Sequence, residues 1–374
     1  MKFLHTADWQ IGRVYSQFDS GDAAELAAAR IDGVRRIAQL AAERQVDAVL
    51  VAGDVFDTQT PREKTIVRMF EAMAGYPGPW LLLPGNHDAA LSESVWQQAL
   101  RLGAVPANAV LCLEPRRVLE VQGQGGERFA VLAAPLTQRH THADLTDWFD
   151  DAASADGLLR IGLAHGSVAG LLAEDVDSPN PIAPDRAVRA RLDYLALGDW
   201  HGMKQVDART WYSGTHEPER FRGNAPGHVL IVEIDAPGAP PRVEPVAVAR
   251  FRWRQLVLQI DGEADAEAAL EALAGIDAQT VADVQLSGSC DMATQARVQA
   301  ALDAAELRAA ACTLRQDGLR LAPTAADLQA LQADGFVGEA LQALKDELDS
   351  PQPDTAEIAR EALLQLARIR KDMA

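Results

Sequence analysis

The amino-acid sequence predicts an α/β fold: a layered β-sheet structure flanked by helices, followed by a smaller α/β domain and C-terminal helices. Three observations lead there. Short apolar runs alternate with helical patterns from the first residues onward, as in layered α/β folds. A turn-rich break, Ala236-Pro237-Gly238-Ala239-Pro240-Pro241, is followed by a compact βαβαβ pattern. From Ala325 the leucines fall at helical spacing.

Residues 3–6 read as the first strand, and residues 22–44, rich in alanine, leucine and arginine, as a long helix. Residues 48–52 form a wholly apolar run that stops at Gly53, the pattern of a parallel strand buried on both faces. Pro61 opens the next helix, with Thr60 as the expected N-cap and Glu63 in the first turn. Residues 79–83 are a strand stopped by Pro84-Gly85, and residues 92–102 a helix. Residues 110–135 change to short strands about a turn at 123–126, and residues 143–153 read as helix. Residues 158–164 and 192–197 are apolar strands, separated by a loop over 170–184 with three prolines. A loop that long is usually functional or mobile. Residues 211–214 and 228–234 read as closing strands.

In the second domain, strands are expected at 251–260, 280–286 and 307–315, and helices at 264–274 and 292–305. Leu328, Leu331, Leu341, Leu344 and Leu348 then keep helical spacing. After Pro351 and Pro353 a last helix carries Ile358, Ala362, Leu363, Leu366, Ile369 and Met373 on one stripe. The expected divisions are 1–249, 250–322 and 323–374.

The totals set limits. With 374 residues, 48% of them hydrophobic, the chain is globular and large enough for two or three domains. No apolar run reaches the ~18 residues of a membrane span. Met1-Lys2-Phe3-Leu4-His5 enters a strand at once, so no signal peptide is expected. Cys112, Cys290 and Cys312 are scattered without CxxC spacing, which suits a reducing cytoplasm. A net charge of −19 argues against clinging to DNA by bulk charge. It is compatible with a nuclease whose metal site and far surfaces are acidic.

Five strand ends deliver metal-ligating side chains to one edge: Asp8-Trp9-Gln10, Asp54, Asn86-His87, His165, and Asp199-Trp200-His201. In an open α/β sheet the carboxyl edge is where ligands bind. Two divalent ions a few ångströms apart can clamp a phosphate and activate a water. Such a site needs one shared carboxylate, and Asp54 suits that bridge. Asp8 and His201 suit the first ion, Asn86 and His165 the second. His87 can reach the scissile phosphate as an acid or charge stabiliser. Asp57 is placed to orient His87 or the substrate.

These residues resemble the calcineurin-like metallophosphoesterase superfamily, with its motif order DxH, GDxxD, GNHD, a lone His and GHxH. Within it the chain is similar to SbcD-type DNA repair exonucleases. LHTADWQIG, AGDVFD, PGNHD, LAHG and YLALGDWHG occur in that order, and Tyr212-Ser213-Gly214-Thr215 with Glu217-Pro218 and Arg220-Phe221 follows the YSG-x-x-EP segment. The motifs cover residues 4–221. The resemblance implies a metallophosphoesterase β-sandwich flanked by helices, a capping domain and a C-terminal segment that grips a partner. It also implies 3′→5′ exonuclease action on DNA duplex ends, endonuclease action on single strands, and an SbcC-like coiled-coil ATPase partner. A homodimer is a further candidate assembly. Two positions depart from the pattern: Gln10 and Asp199 stand where the motifs carry imidazoles. With both as metal ligands the site is oxygen-rich, which favours Mn²⁺, with Mg²⁺ next, over Zn²⁺. Two alternatives stay open: a phosphodiesterase or phosphatase on nucleotides or other small phosphoesters, and a catalytically weak scaffold for an ATPase on DNA.

Other residues carry plainer readings. His5 is expected as a satisfied core histidine, His140 and His142 as solvated, and His228 as part of a strand. His216 is a weaker candidate for the site. Trp9 and Trp200 suit packing near the ions or stacking on a base. Arg13, Arg186, Arg189, Arg191, Lys204, Arg220, Arg222, Arg250, Arg252 and Arg254 are candidate phosphate contacts or solvated charges.

Overall fold

The computed structural model describes residues 1–170, 179–221, 223–324, 335–348 and 350–372. The chain divides into two compact units, Met1–Phe251 and Arg252–Ala374. The first unit runs β1 (Lys2–Thr6), α1 (Ser20–Glu43), β2 (Ala48–Val51), α2 (Glu63–Ala72), β3 (Trp80–Leu82), α3 (Val95–Arg101), β4 (Ala109–Leu111), β5 (Arg117–Gln122) and β6 (Arg128–Ala134). It continues through β7 (Leu159–His165), β8 (Ser167–Val168), β9 (Pro181–Ile182), α4 (Arg186–Arg189), β10 (Tyr194–Gly198), β11 (Lys204–Gln205), β12 (Thr210–Tyr212), β13 (His228–Glu233) and β14 (Arg242–Ala247).

These strands make two six-stranded sheets, β14-β13-β1-β2-β3-β4 and β11-β12-β10-β7-β6-β5. Phe3, Leu50, Leu81 and Val232 of the first sheet share a core with Phe129, Val131, Ile161 and Ala196 of the second. On its other face the first sheet offers Leu4, Val49, Val51 and Leu82 to Val34, Ile37, Ile66 and Trp96 of the helices. Alternate residues of β2 thus serve two cores, which explains its run without a polar residue. The result is a layered α/β structure, as the alternation predicted, and the two packed sheets make the helix-flanked β-sandwich that the resemblance implied. β1, β2 and β3 run parallel, as do β7 and β10, so their carboxyl ends gather within each sheet.

Several local expectations are corrected. Thr60 is not the cap of α2: the helix begins at Glu63, and its first turn bonds back to Arg62, whose carbonyl accepts from Thr65 N–H at 2.8 Å. The helix expected at 143–153 is only a 3₁₀ turn, Asp147–Asp150. The Asp144 carboxylate takes the Thr146 N–H at 2.8 Å and the Ala183 N–H at 2.9 Å, a side-chain bonding pattern that competes with helix. β14 was not anticipated because it contains Pro245; it lies at a sheet edge, where proline is tolerated. Within the 170–184 loop, β9 pairs with β8, which lies just before it, and 171–178 lie outside the described residues.

The second unit contains β15 (Arg252–Ile260), α5 (Glu263–Ala274), β16 (Thr280–Cys290), α6 (Met292–Arg308), β17 (Ala311–Leu321), α7 (Gly335–Leu348) and α8 (Pro353–Asp372). β15, β16 and β17 form a parallel sheet, packed on α5 and α6 through Ile260, Leu273, Val284 and Leu302. Leu307 belongs to α6 rather than to the following strand, and is 89% exposed there. Leu328 and Leu331 lie outside the described residues.

The C-terminal stripe is only partly open. Leu363 is 0% exposed and packs with Leu341, Leu344 and Leu366, whereas Ile358 is 67% exposed. The two helices cover part of each other's apolar face. The side chains of Ile369 and Met373 lie outside the described set. No described helix is long and apolar enough to cross a membrane.

Candidate metal centre

Asp8 lies two residues past β1, Asp54 three past β2, and Asn86 and His87 four and five past β3. His165 ends β7, and Asp199 and His201 follow β10. The turns that aim these side chains are costly. Asp8 (φ 54°), Gln10 (49°), Asp54 (54°), Asp199 (106°) and His201 (59°) are half of the ten non-glycine residues with positive φ among those described. Such conformations persist where surrounding structure enforces them, commonly at functional sites. The glycines before the ligands have a steric reason. A Cβ on Gly53 would stand 2.2 Å from His165 Nδ1, and one on Gly85 2.2 Å from Asp54 Oδ1.

Asp8 Oδ1 accepts from Asp199 N–H at 2.9 Å and Oδ2 from His201 N–H at 3.3 Å. Asp54 Oδ1 accepts from His87 N–H at 2.9 Å, and Oδ2 from Gln10 Nε2 at 2.7 Å. His165 Nδ1 lies 2.9 Å from the Ala52 carbonyl, which places its proton there. Its Nε2 faces Asp54 Oδ1 at 3.5 Å, Asp199 Oδ1 at 3.8 Å and the Asn86 amide at 2.9 Å. With its nitrogen inward, Asn86 donates to His165 and Asp54. With its oxygen inward it accepts from His165 Nε2–H while that ring is protonated, and with the ring neutral the facing lone pairs call for a cation between them. Ligand atoms of Asp8, Asp54 and His165 all lie within 4.8 Å of one another.

His87 Nδ1 bonds the Asp57 main-chain carbonyl at 2.8 Å, leaving Nε2 for the cleft. Asp57 therefore orients His87 through its backbone, while its carboxylate meets Arg13 at 3.2 Å. His201 Nδ1 is 2.7 Å from Glu219 Oε1.

The electrostatics describe a buried cluster short of positive charge. Burial raises the Asp8 and Asp199 carboxyls above their usual range. For His165 burial opposes the charged ring, yet Asp54, Asp199 and Asp8 together raise it to about 9. A proton is drawn to the place where a cation would lie. Gln10 Oε1 is buried without a hydrogen-bond partner, a rare condition that an ion would relieve. The residues present therefore fit divalent metal.

Asp54, Asn86, His87, Asp199 and His201 line a cleft of about 420 Å³ with Trp200, Glu219 and Arg220, while Asp8, Gln10 and His165 are buried and do not line it. Lys204 Nζ sits 4.4 Å over the Trp200 ring. Trp9, by contrast, is a core residue packed against Trp80. His5 bonds Tyr194 Oη at 2.9 Å inside the core, as expected. His216 is buried against Arg30, with Nε2 2.8 Å from its carbonyl, and so does not join the ligands. His140 and His142 are exposed, and His228 lies in β13. Arg186 is buried between Asp144 and Asp150 at 2.7 and 2.6 Å, a structural role. Arg189, Arg250 and Arg252 pair with Asp150, Glu25 and Asp277, and Arg254 bonds the Gly275 carbonyl. Arg191 has φ 51°, and Arg222 lies outside the described residues.

Two residues escaped the sequence reading. Arg30 is 1% exposed. It donates to the carbonyls of Trp9 (2.6 Å), Asp8 (3.2 Å) and Glu217 (3.1 Å) and to Thr215 Oγ1 (2.7 Å). It ties the Asp8 turn to the 215–217 turn. The available signal was a charge on the apolar face of α1, among Leu26, Val34 and Ile37. Glu219 is the other. Burial opposes its charge, but the hydrogen bond from His201 and the charges of His201, Arg30 and Arg13 hold its carboxyl well below the usual range.

Comparison with known proteins gives the family of the first unit. Residues 1–232 match the family described as calcineurin-like phosphoesterase. The SbcD component of the SbcCD nuclease of Rhodobacter capsulatus is 29% identical over 287 residues, 66% of this chain and 69% of that protein. Its Escherichia coli K12 counterpart is 31% identical over 263 residues, 59% and 62% of the two chains. That of Bacillus subtilis 168 is 24% identical over 270 residues, 63% and 66%. The chain thus spans about two-thirds of the length of these relatives.

Proposed function

Because this chain belongs to the calcineurin-like phosphoesterase family and so is a metal-dependent phosphodiesterase, we propose that its substrate is DNA and that it is the nuclease subunit of an SbcC–SbcD-like break-repair complex. The observation that carries this reading is the clustering of Asp8, Asp54 and His165 next to Asn86, Asp199, His201 and His87, five of these seven residues lining one cleft. The names of the relatives support DNA as substrate.

In this reading Asp54, Asn86, His165 and Asp199 would hold one divalent ion, and Asp8, Gln10, Asp54 and His201 the other. Mn²⁺ is the first choice and Mg²⁺ the second, because the donors are oxygen-rich. Bound there, the pair would supply Lewis-acid activation of water and neutralise phosphate charge. His87, fixed through Nδ1, presents Nε2 to the leaving oxygen and would give it a proton or stabilise its charge. Arg220 lines the cleft beside Glu219, within reach of a phosphodiester backbone.

The expected action is 3′→5′ on duplex ends and endonucleolytic on single strands, in the cytoplasm. Residues 250–322 would be a capping domain, and 323–374 the docking segment for a coiled-coil ATPase. A homodimer is a further element of the proposal. The Mn²⁺-loaded full chain should degrade linear duplex and nick circular single strands, and spare closed circular duplex. Cleavage of a chromogenic phosphodiester without any cleavage of DNA would instead favour a small-molecule enzyme. One observation favours a second reading, a weak catalyst serving as scaffold: Gln10 hydrogen-bonds Asp54 in place of an imidazole ligand. Removing 323–374 should abolish ATPase association while the chromogenic activity persists. Retained association would end the docking assignment.

A further inference from the structure

The histidines proposed to face the substrate are joined by a continuous chain of polar contacts. His201 Nδ1 meets Glu219 Oε1 at 2.7 Å. Glu219 Oε2 pairs with Arg13 Nη1 at 3.2 Å. The same Arg13 nitrogen donates to Asp57 Oδ1 at 3.2 Å. The Asp57 carbonyl accepts from His87 Nδ1 at 2.8 Å. Arg220 Nε adds a contact of 2.7 Å to Glu219 Oε1. Glu219 is 5% exposed, so the carboxylate is held among these groups and exchanges little with water.

We infer that Glu219 and Arg13 form a positioning strut, which fixes the aim of His201 and His87 and sets which ring nitrogen each turns to the cleft. Neither residue needs to touch substrate or ion. Glu219 accepts the Nδ1 proton of His201, which leaves the Nε2 lone pair directed at the cleft. A carboxylate behind a ligating imidazole fixes its tautomer and raises its basicity, and losing it typically costs about 10–100-fold in metal affinity. Arg13 does the complementary task. It ties that carboxylate to Asp57, the residue whose carbonyl orients His87, so the two histidines share one frame. The four contacts from His201 to His87 join turns that follow β1, β2, β3, β10 and β12, which are far apart in sequence.

This inference rests on the reading of His201 as a ligand, and the test separates the two. Mn²⁺ is titrated into the full chain while free ion is followed by electron paramagnetic resonance. His201→Asn should lose one of two bound ions. Glu219→Gln should keep both, and weaken the His201-dependent ion about 10–100-fold while leaving the other unchanged. Glu219→Asp keeps the charge between Arg13 and Arg220 but withdraws the oxygen from Nδ1. It should show the same selective loss, and it covers the case in which the glutamine variant fails to fold. Arg13→Gln should lower kcat on a simple phosphodiester with KM unchanged, because it acts through His87. If both Glu219 variants bind Mn²⁺ as tightly as wild type while His201→Asn loses its ion, the strut is wrong and the ligand reading stands. If His201→Asn also keeps two ions at wild-type affinity, the ligand reading fails and the strut with it. A raised KM with unchanged kcat in Arg13→Gln would make Arg13 a substrate contact and remove it from the strut.

Discussion

Asp54 and His165 face each other and the Asn86 amide at close range, whereas Asp8 and His201 are held mainly by groups outside that trio, and Gln10 has its Oε1 left unpaired. In the first group His165 is fixed by a backbone carbonyl, and its free nitrogen faces the Asn86 amide and Asp54. In the second group both Asp8 oxygens take backbone N–H groups, and Gln10 spends its amide on Asp54. His201 leans on the charged Glu219 rather than on a carbonyl. One half is thus arranged around a missing positive charge, while the other is partly satisfied without one. The difference teaches that the two ions proposed above should bind unequally, with the tighter one at Asp54, Asn86 and His165.

Removing what the halves share should do most. Asp54→Ala should take phosphodiester hydrolysis to background and release both ions, measured as Mn²⁺ bound per chain. A variant that keeps two tight ions and full rate would show that Asp54 bridges nothing. His87→Ala leaves both halves intact and should lower turnover by ~10²–10⁴-fold with metal content unchanged. Parallel loss of metal would instead move His87 among the ligands. Gln10→His should sharpen the comparison by strengthening the weaker half. One better donor, worth about 1.4 kcal/mol, would tighten that ion tenfold and move its preference toward Zn²⁺. Unchanged affinity and preference would show that Gln10 only braces Asp54.

The parts legible in the sequence were those carried by local pattern. Buried parallel strands must be apolar and their ends gather at one edge, so the run before Gly53 and the residues after each strand announced the layered sheet and the cluster, while the pairing of two sheets came with the resemblance. What stayed hidden depends on partners distant in the chain. Arg30 reaches Glu217 O across 187 residues, and no periodicity encodes a guanidinium seeking carbonyls. Asp57 acts on His87 through its backbone, which any residue supplies. The lost helix near Asp144 and the unexpected β14 were settled by side-chain bonding and by edge position. Helical spacing shows that the C-terminal stripe is apolar, not that α7 already covers part of it.

The smallest expected effect concerns stability, and it tests the charge deficit directly. His165 has a folded value of about 9 against an unfolded reference near 6.5. The folded chain therefore holds this proton more tightly than the unfolded chain. That stabilisation is complete below about pH 6.5 and drains away as pH rises through about 9. His201 is also raised, since Asp8 and Glu219 outweigh its burial, so it acts with the same sign. Metal-stripped protein should accordingly melt at lower temperature at pH 9 than at pH 6.5. Mn²⁺ affinity should run the other way, because ligation requires the imidazole to give up its proton. Melting curves in chelator and in Mn²⁺ across this window make the comparison. His165→Asn should flatten the slope of the stripped protein more than His201→Asn does, because His165 lies in the half with the larger deficit. A wild-type chain whose stripped melting temperature does not change between pH 6.5 and 9 would mean that His165 carries no extra proton. The two halves would then not differ in charge as their geometry implies.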